Sequence, residues 1–295
     1  MAAASVTNSI DVIPIFINRM IKKENYNIPG IKGRGMLMDI TYDDAIKNAP
    51  MVIFVHGFKG FKDWGTHNLV AKYFAEQGFR YVKFNFSHNG TTAEKPVDFA
   101  DLIAFSENTF SMELEELNDV IDFVCNGSSM PRVTGVYLIG HSMGGGISIL
   151  QTAGDKRVKK LVTMASISSF SNLWPKAAEE QWRLSGIMYM ANKRTNQDMP
   201  LKVSLLDDLR DHPARLDILE KASHIKQPWL IIHGDVDPTV PLAHAEELKN
   251  TNEHAEFAVI KGGDHTFGAS HPYANNSLPK ELLEFCDLSI EFFKK

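Results

Sequence analysis

Apolar and polar positions follow two rhythms along the chain. Short apolar runs, Met51 to Val55, Phe79 to Phe86, Val136 to Ile139, Val158 to Ala165, Trp229 to His233 and Glu256 to Ile260, have the β-rich character of strands buried in a sheet. Between them apolar residues recur every three or four positions, the spacing of an amphipathic helix. Leu69, Val70, Tyr73 and Phe74 form one such stripe, ended by Gly78, and Leu114, Leu117, Ile121 and Val124 form another, closed by Asn126-Gly127. Further helices are predicted over Leu242 to Leu248 and over Pro279 to Lys295. Strand, helix, strand in succession is the βαβ unit, so the pattern predicts a parallel sheet covered by helices on both faces.

Two regions depart from that rhythm. Residues from about 10 to 42 alternate, through Ile13, Ile15 and Ile17, a turn-rich Ile28 to Gly35, and an extended Met36 to Tyr42. They predict an antiparallel hairpin or meander at the entry to the sheet. From Ser166 to Ile225, Trp174, Trp182, Met188, Tyr189 and Met190 are interspersed with charges and lack strand punctuation. Residues 171–211 are predicted to be a helical cap lying over the C-terminal strand ends, because so much aromatic and Met surface needs something to cover. Residues 1–170 and 212–295 would form the α/β core.

The chain has 295 residues, 44% of them hydrophobic, and a net charge of −5. That acidity argues against nucleic acid as a partner. Cys125 and Cys286 fall in helical patterns with no neighbour at metal-ligand spacing, and are expected to be buried free thiols. The N-terminus has no basic start followed by an apolar core, and no stretch approaches the length of a membrane span, so the cytoplasm is the expected location.

The candidate chemistry lies at strand ends. Gly140-His141-Ser142-Met143-Gly144 follows an apolar strand and opens a small-residue helix, the pattern of a nucleophile elbow. The turn is so tight that side chains two positions either side of the serine would collide, hence glycine at both. A serine hydroxyl is a weak nucleophile at neutral pH. It needs a base to accept its proton, and the base needs an acid partner to hold its tautomer. Asp235 and Asp237 follow a later strand, and His265 follows the last one. In a parallel sheet these ends share one edge. No metal cluster or dinucleotide fingerprint is present, and no cofactor is expected.

With His56-Gly57-Phe58, Gly140-x-Ser142-x-Gly144, Gly234-Asp235-Val236-Asp237-Pro238-Thr239-Val240-Pro241 and Gly263-Asp264-His265, the chain resembles the α/β-hydrolases over roughly Ala49 to Lys295. It is most similar to small esterases of the dienelactone-hydrolase and feruloyl-esterase type, and to the serine aminopeptidase-like and monoglyceride-lipase-like branch. The resemblance implies an α/β-hydrolase fold, with Ser142 as nucleophile and His265 as general base. The family's carboxylate before x-x-Val-Pro selects Asp237 as the acid, leaving Asp235 as a turn-capping residue and Asp264 as a solvated loop carboxylate. The backbone N–H groups of Phe58 and Met143 would form the oxyanion hole. His56, His141 and His233 are expected to be structural and His88 to be a surface loop residue.

The implied function is hydrolysis of a small to medium acyl or aryl ester through an acyl-enzyme, with Phe58, Trp174 and Trp182 as candidate substrate contacts. Amide or peptide hydrolysis by the same residues is the alternative, with Glu179-Glu180 or Asp207-Asp208 available for a substrate ammonium. A non-catalytic binding module on the same fold is the third possibility.

Overall fold

The computed structural model describes residues 20–127, 133 and 135–295. The alternation at Ile13 to Ile17 lies outside these residues. The chain enters through β1 (Ile21–Pro29) and β2 (Gly35–Asp43), an antiparallel pair. Then come β3 (Met51–Val55), α1 (His67–Glu76), β4 (Arg80–Phe84), the short α2 (Leu102–Glu107) and α3 (Phe110–Asn126). The elbow strand β5 (Val136–His141) leads into α4 (Met143–Gly154) and β6 (Val158–Met164).

Residues 171–211 are not wholly helical, which corrects the expectation. Two short 3-10 turns and α5 (Glu179–Ser185) are followed by strands β7 (Ile187–Asn192) and β8 (Gln197–Lys202) and then α6 (Ser204–Asp211). β7 and β8 pair antiparallel as a separate two-stranded sheet. Pro200 within Gln197–Lys202 argues against a strand by its missing N–H. In a sheet of two strands, however, both are edges, and Pro200 takes its place opposite Tyr189. Three successive residues of β8, Met199, Pro200 and Leu201, are buried.

The chain closes through α7 (Ile218–His224), β9 (Trp229–Gly234), α8 (Ala243–Thr251), β10 (Glu256–Ile260) and α9 (Lys280–Lys294). The eight-stranded sheet has the order β1-β2-β4-β3-β5-β6-β9-β10, parallel from β4 onward. Its side chains divide by the period of two. Met51, Ile53 and Val55 face one core with residues of α3 and α4, while Val52 and Phe54 face a second core with residues of α1 and α9. Each fully buried side chain of this kind is worth about 1.5–3 kcal/mol, so both faces hold the sheet in place. Among the described residues no helix is long and apolar enough to cross a membrane. Cys286 is buried as expected, but Cys125 is only half-buried, because it lies at the edge of the α3 stripe.

A buried charge network joins β2 and β4 to the loop after β3. Lys62 Nζ lies 2.7 Å from Asp39 Oδ2, and Lys83 Nζ lies 2.8 Å from Asp63 Oδ1 and 3.3 Å from Asp39 Oδ2. Lys62 also bonds Asp63. Removing one partner from such a network leaves a buried charge uncompensated, at about 3–5 kcal/mol. The loop carrying Phe58 is thereby anchored to the sheet from its far side.

Candidate active site

Ser142 stands between β5 and α4 with φ 56° and ψ −120°. A non-glycine residue at positive φ is strained and persists only where its surroundings impose it. The surroundings do so through the two flanking glycines. A Cβ on Gly140 would lie 2.4 Å from the Gly144 carbonyl oxygen, and one on Gly144 would lie 2.3 Å from the Val55 carbonyl oxygen. The Ser142 N–H donates to the Met164 carbonyl at 2.9 Å, which fixes the turn against β6.

The loop after β3 comes against this turn. A Cβ on Gly57 would lie 3.1 Å from the Ser142 Cβ, so glycine there lets the loop pass directly beside the serine. Phe58 follows, then Lys59 at φ 55°. The Met143 side chain is buried, and its N–H is one of the first in α4, a group without an intrahelical partner.

Asp237 lies in the loop after β9, and all its oxygens are engaged. Oδ1 accepts from the N–H groups of Thr239 at 2.8 Å and Val240 at 2.9 Å. Oδ2 lies 2.8 Å from His265 Nδ1 and 3.4 Å from His233 Nε2. Burial alone would raise the Asp237 pKa, but the hydrogen bonds from His233 and His265 outweigh it and hold the carboxyl well below the usual carboxylate range. Because a carboxylate only accepts, His265 Nδ1 carries the hydrogen of this bond, which directs Nε2 away from Asp237.

The backbones after β9 and β10 approach closely enough to bring these two side chains together. A Cβ on Gly234 would fall 1.9 Å from the Gly263 carbonyl oxygen, and the Val236 N–H donates to that same oxygen at 3.2 Å. Asp235 is turned away from the histidine, and its Oδ1 accepts from the Gly262 N–H at 2.6 Å. Asp264 is half-buried and caps its own loop, accepting from the N–H groups of Thr266 and Gly268 at 2.9 Å each.

Further histidines surround the site, His67 lining the cavity among them. His141 Nε2 donates to the His265 main-chain carbonyl at 2.9 Å, and burial, reinforced by the neighbouring His265, pushes its pKa down to about 3. His56 bonds the Gly57 carbonyl through Nδ1 at 3.0 Å and accepts from the Phe86 N–H through Nε2, with its pKa lowered by burial to about 4. His233 Nε2 donates to the Val240 carbonyl at 2.8 Å, steadying the loop that carries Asp237. His88 corrects the expectation of a surface residue. It is buried with Nδ1 2.7 Å from Ser87 Oγ, because the loop after β4 folds inward over α3.

Ser142 and His265 line one cavity of about 450 Å³, together with Phe58 and His141. Met190, Asn192 and Arg194, from β7 and the turn after it, form its wall on the side of residues 171–211. Trp174 and Trp182 do not line it, which corrects their candidacy as substrate contacts. They pack edge-to-face with ring centroids 5.3 Å apart inside the main core, and Trp174 stacks on Phe110. Large aromatic rings gain more from that desolvation than from a place at the cavity wall. Glu179 accepts from the Trp174 indole at 3.0 Å, Asp207 pairs with Arg210 at 2.7 Å, and Asp208 accepts from the Ser111 N–H at 2.9 Å. None of these carboxylates reaches the cavity. Among the described residues no group of three or more His, Cys, Asp or Glu side chains is placed to hold a metal ion.

The family profile for the alpha/beta hydrolase fold matches residues 50–189, which include β3, the elbow and β6. A solved structure of Est1E from Butyrivibrio proteoclasticus with ferulic acid bound superposes with a TM-score of 0.66 at 17% identity, covering 92% of this chain and 100% of that one. The chain has the α/β-hydrolase fold. A Mycoplasma pneumoniae protein with the provisional name esterase/lipase 2 is 26% identical over 261 residues, 80% of this chain and 88% of its own. A Bacillus subtilis protein provisionally named esterase YitV is 25% identical over 254 residues, 83% of this chain and 93% of its own.

Within this hydrolase fold the parts that sequence reasoning treated as background are His141 and His233. Both sit at strand ends beside a candidate site residue, which was the available signal. Their partners are main-chain carbonyls brought near by tertiary folding, which no sequence pattern displays.

Proposed function

We propose that the protein is a serine esterase in which Ser142, His265 and Asp237 act as nucleophile, base and acid. The observation that carries this reading is the His265 Nδ1 to Asp237 Oδ2 bond of 2.8 Å, with His265 in the same cavity as a serine held at φ 56°. In the proposed reaction Ser142 Oγ attacks the ester carbonyl carbon and passes its proton to His265 Nε2. The carbonyl oxygen gathers negative charge and is met by the main-chain N–H groups of Phe58 and Met143. The tetrahedral intermediate collapses, the C–O bond to the alcohol breaks, and His265 returns the proton to the departing oxygen. Water then attacks the acyl-enzyme with His265 again as base, releasing the acid and restoring Ser142. Asp237 holds the histidine tautomer and stabilises the imidazolium formed in each half-reaction.

Residues 171–211 serve in this reading as the cap that screens the acyl-enzyme from bulk water. The provisional esterase names of the two bacterial relatives agree with ester chemistry, as does the ferulic acid, a phenolic acid, bound to the structural neighbour. Aminopeptidase action is less well supported, because among the described residues no carboxylate lines the cavity to receive a substrate ammonium.

The test is hydrolysis of p-nitrophenyl esters from acetate to decanoate, with methyl ferulate and an aminoacyl anilide alongside, by wild type and Ser142→Ala. Ser142-dependent turnover of esters above that of the anilide is expected. Turnover that survives Ser142→Ala, or preference for the anilide, overturns the proposal.

A further inference from the structure

The charge of the cavity runs opposite to that of the protein. The chain carries a net charge of −5, yet among the described residues the cavity lining includes two cations, Lys59 and Arg194, and no Asp or Glu, Asp237 lying behind His265. Among the described residues neither cation forms an ion pair within 4.0 Å. Lys59 Nζ has only the Ala191 carbonyl at 3.4 Å and the face of Phe58, 5.7 Å from the ring centroid. The Arg194 guanidinium lies over Phe61 and Phe99, 5.5 Å from each centroid. Asp98 attracts it from beyond ion-pair range and is exposed outside the cavity. Partial desolvation lowers the pKa of both cations, Lys59 being half-buried and Arg194 exposed at the cavity wall.

Their positions relate them to the reaction centre. Lys59 directly follows Phe58, and its φ of 55° shows a loop held in one shape. Arg194 comes from the turn between β7 and β8, on the wall opposite the sheet. Asn192 also lines the cavity, with its buried side-chain nitrogen lacking an acceptor among the described residues. Two unpaired cations and an unused amide donor beside an apolar cavity make a receptor for an anion, since charge-assisted bonds to a bound acid group would replace the missing partners.

We infer that the ester cleaved at Ser142 carries a second, ionised carboxylate, held on the cap side of the cavity by Lys59 and Arg194. This rests on the esterase reading and specifies its substrate class, a half-ester of a dicarboxylic acid or an ester of an acidic alcohol or phenol. In either case the charged end lies away from the scissile carbonyl, toward β7.

The experiment compares kcat/KM for matched charged and neutral esters. Mono-p-nitrophenyl adipate against p-nitrophenyl hexanoate places the charge on the acyl side. Acetoxybenzoate, para-substituted, against its carboxamide places it on the alcohol side. Wild type is expected to favour the charged member of one pair by about tenfold or more. Lys59→Gln and Arg194→Gln are each expected to lower that charged-to-neutral ratio by about tenfold, and the arm that responds identifies which side carries the acid. Binding to Ser142→Ala gives a second readout independent of turnover: monoethyl adipate should raise its melting temperature more than ethyl hexanoate does, and Arg194→Gln should remove the difference. Turnover of the neutral esters with no preference for charge in either arm overturns the inference while leaving the esterase reading intact. A charge preference that survives both substitutions overturns the assignment to these residues. Absence of Ser142-dependent turnover with every ester removes the esterase reading, and this inference with it.

Discussion

His141 and His265 are joined through backbone and ring together. His141 Nε2 donates to the main-chain carbonyl of His265 at 2.9 Å, and the two rings lie 4.8 Å apart between centroids. His141 immediately precedes Ser142, so one side chain ties the strand that leads to Ser142 to the loop that carries His265. With its pKa at about 3, through burial first and the neighbouring His265 second, it remains neutral and serves as a positioning donor.

Replacing His141 by Phe keeps a ring in the site and removes the donor. The expected result is a fall in kcat of about ten- to a hundredfold, the loss associated with a misplaced catalytic group, with circular dichroism unchanged. His141→Gln, which keeps an N–H, should lose less. Full activity in His141→Phe would show that the bond has no bearing on His265.

The two aspartates of the loop after β9 should separate cleanly. Asp237→Asn leaves the shape but removes the charge facing His265 Nδ1, and should cost on the order of 10⁴ in kcat. Asp235→Asn touches only a turn bond to Gly262 and should stay within a few-fold of wild type. Steady-state kinetics with p-nitrophenyl butyrate decides it, and a larger loss in Asp235→Asn than in Asp237→Asn would reverse the assignment.

Gly144→Ala places a methyl group 2.3 Å from one carbonyl oxygen and 2.4 Å from another, those of Val55 and His56. Neither backbone atom can move without disturbing β3 and the loop beside Ser142. A loss of roughly 2–4 kcal/mol in urea unfolding is expected, from overpacking against backbone. Wild-type stability in the variant would contradict the steric account of the elbow.

Glu113 in α3 gives a pH signature in stability. It is buried with Oε2 unpartnered, and burial raises its pKa to about 8 from a model-peptide value near 4.5. Between those two values the folded state holds a proton that the unfolded state has released, so this group's contribution falls as pH rises through the window. Glu113→Gln, uncharged and close in shape, should gain stability relative to wild type by an amount that grows from about pH 5 to pH 8 and reaches a few kcal/mol. Urea midpoints at several pH values measure it, and a difference that does not change with pH would contradict it.

The sheet was legible because its inner strands bury both faces and so appear as apolar runs. Met51 to Val55 needs no partner to be recognised as a strand. The elbow was legible for a steric reason, since Gly140 and Gly144 are demanded by contacts within a few residues of Ser142. The β7–β8 hairpin was hidden by Pro200 and by a Met-rich alternation too short to stand out. Trp174 and Trp182 were misplaced because an aromatic residue near a cap serves equally as core, and only the packing against Phe110 distinguishes the two. The Asp39, Lys62 and Lys83 network was invisible for the opposite reason, as charged residues in a sequence read as surface until a partner is brought to them. The charge of the cavity falls in the same class. Lys59 and Arg194 are far apart in the chain and face one space only after residues 171–211 fold over the sheet edge.

The most direct test of the account is to trap the acyl group. Wild type quenched in acid during turnover of p-nitrophenyl butyrate should show by mass spectrometry a single butyryl adduct on the peptide containing Ser142, absent from Ser142→Ala. Turnover without any adduct, or an adduct at another residue, would contradict the central claim that Ser142 is the nucleophile.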